Sequence, residues 1–276
     1  MEGERSSLVV AEMGSLNARR RARVARRMQR RSASRFRLRR WVLGAILGVA
    51  ALPLTASAQR IQGRITGYEH LENPVWAEAR DPQQRGYSFR ELVPTVPAKF
   101  RKLFPHIPKE VCLAALSEEP QPASKPVLIR VGGGRTTPVT IVVPPGTKLI
   151  FQNTDPFPHR LYGVDVQSFG PSDSAKGAKR EWTVPAAGSY EIRDELAPSL
   201  RMWVVAEPNV AAIAYPSMQG EFRLNMTQPG SYKVQAYFAG KPVGEALPAV
   251  VAARDVGLKP IVVATPKKES KKEQAE

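Results

Sequence analysis

An all-β fold, built as a β-sandwich, is what this 276-residue chain predicts, on three observations. After residue 110, short apolar or alternating runs recur with turn residues between them, the period-2 pattern of strands with one buried face. Over the same stretch no long run places an apolar residue every 3.6 positions, so amphipathic helices have no support there. The 20 glycines and 25 prolines supply the punctuation that many short strands need.

Taken from the N-terminus, the first element is an export signal at residues 1–58. The apolar run WVLGAILGVAALPL covers residues 41–54, and its 14 residues fall short of the roughly 20 that a membrane-crossing helix needs. Basic residues precede it, and Ala56-Ser57-Ala58 follows as the small-residue pattern at which a signal peptide is cut. Cleavage after Ala58 is expected, with a mature chain of 218 residues (276 minus 58) starting at Gln59 in the periplasm or outside the cell. The basic stretch is long, and a start at Met28 instead of Met1 would give it ordinary length. Arg39 and Arg40 form a loose twin-arginine pattern without a complete motif.

This assignment reshapes the charge argument. Residues 1–58 hold 13 arginines, no lysine and three acidic residues, so removing them lowers the net charge from +16 to +6. The mature chain is mildly basic, and no nucleic-acid partner is expected. Membrane contact is expected only through the signal before cleavage. A single cysteine, Cys112, excludes an intrachain disulfide, so a packed core must supply the stability.

Residues 59–110 read as a Pro- and aromatic-rich arm or linker. Six prolines interrupt it, few alternating runs occur, and Tyr68, Trp76, Tyr87, Phe89, Phe100 and Phe104 suggest an extended segment lying against the domain or a partner. One or two helical turns are expected over residues 98–104. Strands are then expected at 111–116, 127–131, 140–143, 148–153, 159–164, 181–184, 188–193 and 201–206. A later group follows at 211–215, 220–226, 231–238 and 249–253. Within it, alternation puts Phe222, Leu224 and Met226 on one face, and Gln228-Pro229-Gly230 makes a turn. A charged, disordered tail is expected at 266–276.

Two blocks carry a family resemblance. PPGTKLIFQNTDPFPH at 144–159 and WTVPAAGSYEIR at 182–193 resemble the cupredoxins, the blue-copper proteins, and their plastocyanin-like and methylamine-utilization-protein-like members in particular. The resemblance covers roughly residues 111–206 and implies a cupredoxin-like Greek-key β-sandwich. It places His159 on the family's first copper ligand. Aligned on Tyr190 and Trp203, the remaining ligand positions, where the family has Cys, His and Met, hold Asp194, Ala197 and Leu200. A blue-copper centre needs two imidazoles and a thiolate, so one ligand of four remains and the copper site is degenerate. Arg160 also departs, standing where plastocyanins carry an asparagine. Residues 207–265 resemble the hairpins of carboxypeptidase regulatory-like domains, through Gly220-Glu221-Phe222 and PGSYKV at 229–234. They are expected to add a small β module.

Other candidate chemistry is sparse. His159 is the only retained metal candidate. Met202, Met218 and Met226 are potential thioether ligands for Cu(I), although Met226 alternates with core residues. Cys112 lies in an apolar strand and reads as a small buried hydrophobe. His70 with Glu69 and Glu72 matches no zinc spacing. The glycines of residues 131–137 lack the Lys-Ser/Thr ending of a phosphate loop. No catalytic constellation forms around histidines 70, 106 and 159, including one for a cell-wall hydrolase. The sequence thus points to no cofactor and to a non-enzymatic, exported binding or structural component of the cell envelope. Its expected partner is another envelope protein, and its oligomeric state is open. The alternative is a copper-binding or electron-transfer protein that uses His159 with non-standard ligands.

Overall fold

The computed structural model describes residues 59–80, 105–252 and 254–266. The export signal, the helical turns expected at 98–104 and the tail from residue 267 lie outside the described residues. Everything described belongs to one compact unit, residues 56–276. Among the described residues no helix is long and apolar enough to cross a membrane.

The fold is all-β, and its strands form two sandwiches. The first takes one sheet from β3 (Val127–Gly132), β4 (Arg135–Thr137), β6 (Lys148–Asn153) and β9 (Lys179–Thr183), in the order β4-β3-β6-β9. Its second sheet has the order β5-β11-β10-β7-β8, from β5 (Thr140–Val143), β7 (His159–Gly163), β8 (Ser172–Ser174), β10 (Gly188–Asp194) and β11 (Arg201–Ala206). Between them lies a core that includes Ile129, Phe151, Leu161, Phe169, Trp182, Ile192 and Val204. Its aromatic members meet at angles: Phe169 sits 5.2 Å from Phe151 and 5.4 Å from Trp182, centroid to centroid.

The second sandwich is larger than the β extension expected from the sequence. One sheet runs β12-β2-β14-β15, from β2 (Val111–Ser117), β12 (Val210–Ala214), β14 (Gly230–Phe238) and β15 (Lys241–Val251). The other is built around β1 (Gln59–Thr66), which pairs antiparallel with β13 (Glu221–Met226) and parallel with both β16 (Val256–Gly257) and β17 (Ile261–Val262). All twelve expected strands are present, with ends shifted by at most two residues except at the last, where the hairpin partner β15 starts at Lys241.

Two parts of the expected domain division do not match this architecture. The start of the arm, residues 59–66, is a strand at the heart of the second sandwich, where Ile61 and Ile65 are fully buried. Burying each such side chain contributes about 1.5–3 kcal/mol, which an extended arm would forgo. The pattern is hidden by Gly63, which stands between the two isoleucines on the same face. A Cβ there would lie 2.9 Å from the ring of its cross-strand neighbour Phe222, so the glycine makes room for that ring. Likewise β2, expected as the first strand of the cupredoxin-like domain, pairs with β12 and β14 instead. The reason is its composition. Val111, Leu113 and Ala115 enter the second core, while Cys112 and Ala114 face the other way. There they meet Val142 and Val205 of the first sandwich and Tyr237 of β14, forming an apolar seam between the two sandwiches. A strand packed on both faces needs an unbroken apolar run.

The stretch between β1 and β2 contributes helix α1 (Pro74–Arg80), with Pro74 at its first position and Asn73 Oδ1 accepting a 2.9 Å hydrogen bond from the Val75 amide. A four-residue turn, α2 (Ile107–Glu110), leads into β2.

Candidate functional site

The site is the end of the first sandwich at which His159 opens β7, Asp194 closes β10 and the loops 154–158 and 195–200 meet. Asn153, the last residue of β6, shapes the first loop. Its Nδ2 donates to the carbonyls of Phe157 and Ser174, both at 2.8 Å, and its Oδ1 accepts from the Asp155 amide at 2.8 Å. Pro156 and Pro158 restrict the same loop, and His159 emerges from it fully buried.

Both nitrogens of the His159 ring face carboxylates. Nδ1 lies 2.5 Å from Asp194 Oδ2, and Nε2 lies 3.0 Å from Asp155 Oδ2. Each ring nitrogen is thus engaged by the oxygen of a different aspartate, so the imidazole is held between two carboxyl groups. Asp194 is held just as firmly. Its Oδ1 accepts from the backbone amides of Leu196 at 2.8 Å and of Arg160 and Ala197 at 3.2 Å. Asp155 accepts from the Gly133 amide through both oxygens at 3.0 Å. That amide first, and then His159, hold its carboxyl below the ordinary aspartate value against the opposing effect of burial. Three loops, at 132–134, 153–159 and 194–200, are thereby tied by one buried ring and two carboxylates.

The ligand positions implied by the resemblance do converge here, with different chemistry. Asp194 stands beside His159 as an ion-pair partner. Leu200 is fully buried in the first core, and Ala197 packs against that core. With both ring nitrogens of His159 engaged and an alkyl group at Leu200, the end of the sandwich carries the polar pairing and apolar packing of a closed protein interior. Arg160 points outward, pairing with Asp173 at 2.6 Å and with Glu195 at 3.4 Å. The three methionines are dispersed: Met202 in the first core, Met226 in the second, Met218 exposed. Among the described residues no group of three or more His, Cys, Asp or Glu is arranged to hold a metal ion. Cys112 is fully buried in the seam, and burial pushes its thiol up to about 12. His70 lies 3.7 Å from Glu69 at the surface.

Two features escaped the sequence reading. Asp155 lies inside residues 144–159 without any role assigned to it; the available signal was a carboxylate four residues before the histidine. The other is a cleft of about 190 Å³ between α1 and β11, lined among others by Trp76, Glu110, Arg135, Arg201 and Trp203. Arg201 grips Glu78 of α1 through both terminal nitrogens and lies 3.6 Å from Glu191. Around the site, Phe157 and Leu196 are each half exposed, one on each loop.

No protein-family model matches this chain, and no curated protein matches it. Among solved structures it is similar to a purple cupredoxin from Nitrosopumilus maritimus, at 21% identity and a TM-score of 0.27, over 29% of this chain and 99% of that one. It is similar to amicyanin from Paracoccus versutus at 20% identity and a TM-score of 0.28, over 34% of this chain and 97% of the other. A Cu-containing nitrite reductase from Thermus scotoductus is matched at 22% identity and a TM-score of 0.27, over 30% of this chain and 22% of that one.

Proposed function

We propose that this chain is an exported, non-enzymatic, cupredoxin-like protein whose copper end has become a salt-bridged closure, and that it serves as a binding component of the cell envelope. The observation that carries the reading is the engagement of both His159 nitrogens by Asp155 and Asp194. A metal ligand must offer a ring nitrogen with a free lone pair, and a blue-copper site must offer a thiolate. This end offers neither. What it presents instead is a braced tip: Phe157 and Leu196, each 50% exposed, on loops pinned by Asn153 and Asp194. Apolar side chains on a rigid frame lose little freedom when a partner covers them, and such anchors dominate protein interfaces. Export is supported by the signal pattern of residues 1–58.

Metal analysis and a visible spectrum of the purified protein test the first half. Less than stoichiometric copper after loading and dialysis is expected; one copper per chain that disappears in His159→Ala would replace this reading with metal handling. For the second half, deleting the arm is unsuitable because it removes β1. Photo-crosslinking from position 157 in the producing cells, with Leu196→Ser as the comparison, should yield a defined envelope-protein adduct that the substitution diminishes. A crosslink pattern unchanged by Leu196→Ser overturns the role of the tip.

A further inference from the structure

The cleft between α1 and the start of β11 takes no part in the Asp155–His159–Asp194 closure. Its volume of about 190 Å³ is room for about six waters at roughly 30 Å³ each. Two indoles line it. Trp203 is 8% exposed and fixed on β11, whereas Trp76 is 41% exposed on a helix that Glu78 clamps to Arg201. The polar lining is of both kinds. Glu110 brings a carboxylate, 9% exposed and oriented by Asn73 Nδ2 and the His106 amide, each at 3.0 Å. Arg135 and Ser199 bring exposed donors. The Arg201 charge is spent on Glu78, so Arg135 and Glu110 balance each other and neither sign dominates.

Acceptors and donors lining one cleft with two indoles, with no net charge to satisfy, suit a ligand that is uncharged, compact, apolar on one face and hydroxylated at its edge. We propose that this cleft binds a single pyranose ring of an oligosaccharide, its C–H face against an indole and its hydroxyls shared between Glu110, Ser199 and Arg135. The lining is pre-organised, because Asn73 is fixed by the Val75 amide and Glu110 by two donors, so little side-chain freedom is lost on binding. The proposal is independent of the role of His159.

Trp76 and Trp203 are two of the chain's four tryptophans, so intrinsic emission reports on the cleft. Maltotriose, cellotriose and triacetylchitotriose are titrated into the purified protein, with benzoate and tetramethylammonium as singly charged probes of the same size class. A saturable emission change with at least one trisaccharide is expected, weakened at least about tenfold in Trp76→Ala and in Arg135→Ala and kept in Phe157→Ser. Trp76 and Arg135 are surface side chains, and circular dichroism checks that both variants fold. No saturable change with any trisaccharide overturns the proposal. So does a response to benzoate or tetramethylammonium alone, or sugar binding indifferent to both cleft substitutions.

Discussion

Replacing His159 by leucine separates a closed, ion-paired end from an open ligand position. In the structure His159 and Asp194 are fully buried and 2.5 Å apart, and Asp155 is 14% exposed. Removing one partner of a buried pair costs about 3–5 kcal/mol, because the remaining charge stays desolvated. Asp194 keeps three backbone donors in the variant, from Arg160, Leu196 and Ala197. That sets the expected loss at the lower end, about 3 kcal/mol, or a fall in Tm of about 6–12 °C for a unit of this size. The assay is urea and thermal unfolding of the purified protein in the presence of a chelator, followed by far-ultraviolet circular dichroism. A second variant sharpens the test. In His159→Leu/Asp194→Asn the amide oxygen still accepts from the same three backbone donors while the stranded charge is gone, so much of the lost stability should return. A single variant within about 0.5 kcal/mol of the parent, the size of an ordinary surface change, refutes the closed Asp155–His159–Asp194 pairing. So does a double variant no better than the single one.

Further outcomes follow from the same fold. Ile61→Ala should destabilise the protein by about 2–5 kcal/mol in urea unfolding, because Ile61 is fully buried in the second core; an unperturbed midpoint would restore the extended-arm reading of residues 59–110. The depressed carboxyl of Asp155 contributes stability that is fully present above the ordinary aspartate value of about 3.9 and is lost as pH falls through its lower folded value. The urea midpoint of the parent should therefore drop with acid over that window, and Asp155→Asn should flatten the dependence. Cys112, buried with its thiol pushed up to about 12, should resist a thiol-reactive chromophore at pH 8 in the native state and react stoichiometrically in urea.

Most strands were legible because their signals are local. Residues 148–153 and 221–226 alternate cleanly, and the turns between strands carry Gly and Pro. What escaped reading depends on partners distant in sequence. Gly63 makes β1 look like a loop until Phe222, 159 positions later, is seen to fill the space above it. The apolar run 111–116 fits a buried strand in either sandwich, and only the seam residues Val142, Val205 and Tyr237 assign its second face. The strands β4 and β8 span three residues each, too few for periodicity to register. At the candidate site, the resemblance brought His159, Asp194, Ala197 and Leu200 to one place, yet residue types alone do not say that aspartates would occupy both ring nitrogens. That outcome depends on Asp155, whose orientation is set by the Gly133 amide of a neighbouring hairpin.

The pairing of β1 bears on when each half of the molecule can acquire its shape during synthesis. A chain made from its N-terminus completes every strand of the first sandwich once Ala206 has emerged. The second must wait. Its central strand is the earliest one described, and that strand's parallel neighbours at Ile261–Val262 are among the last residues described. Until β13 emerges, Ile61 has no cross-strand partner, and the sheet around Ile61 and Ile65 is complete only when the two ends of the described chain meet. Contacts so far apart in sequence make closure of this half slow. A folding factor that shields residues 59–66 would act over that interval, and a truncation of the final described strand would strip Ile65 and Thr66 of their parallel partner.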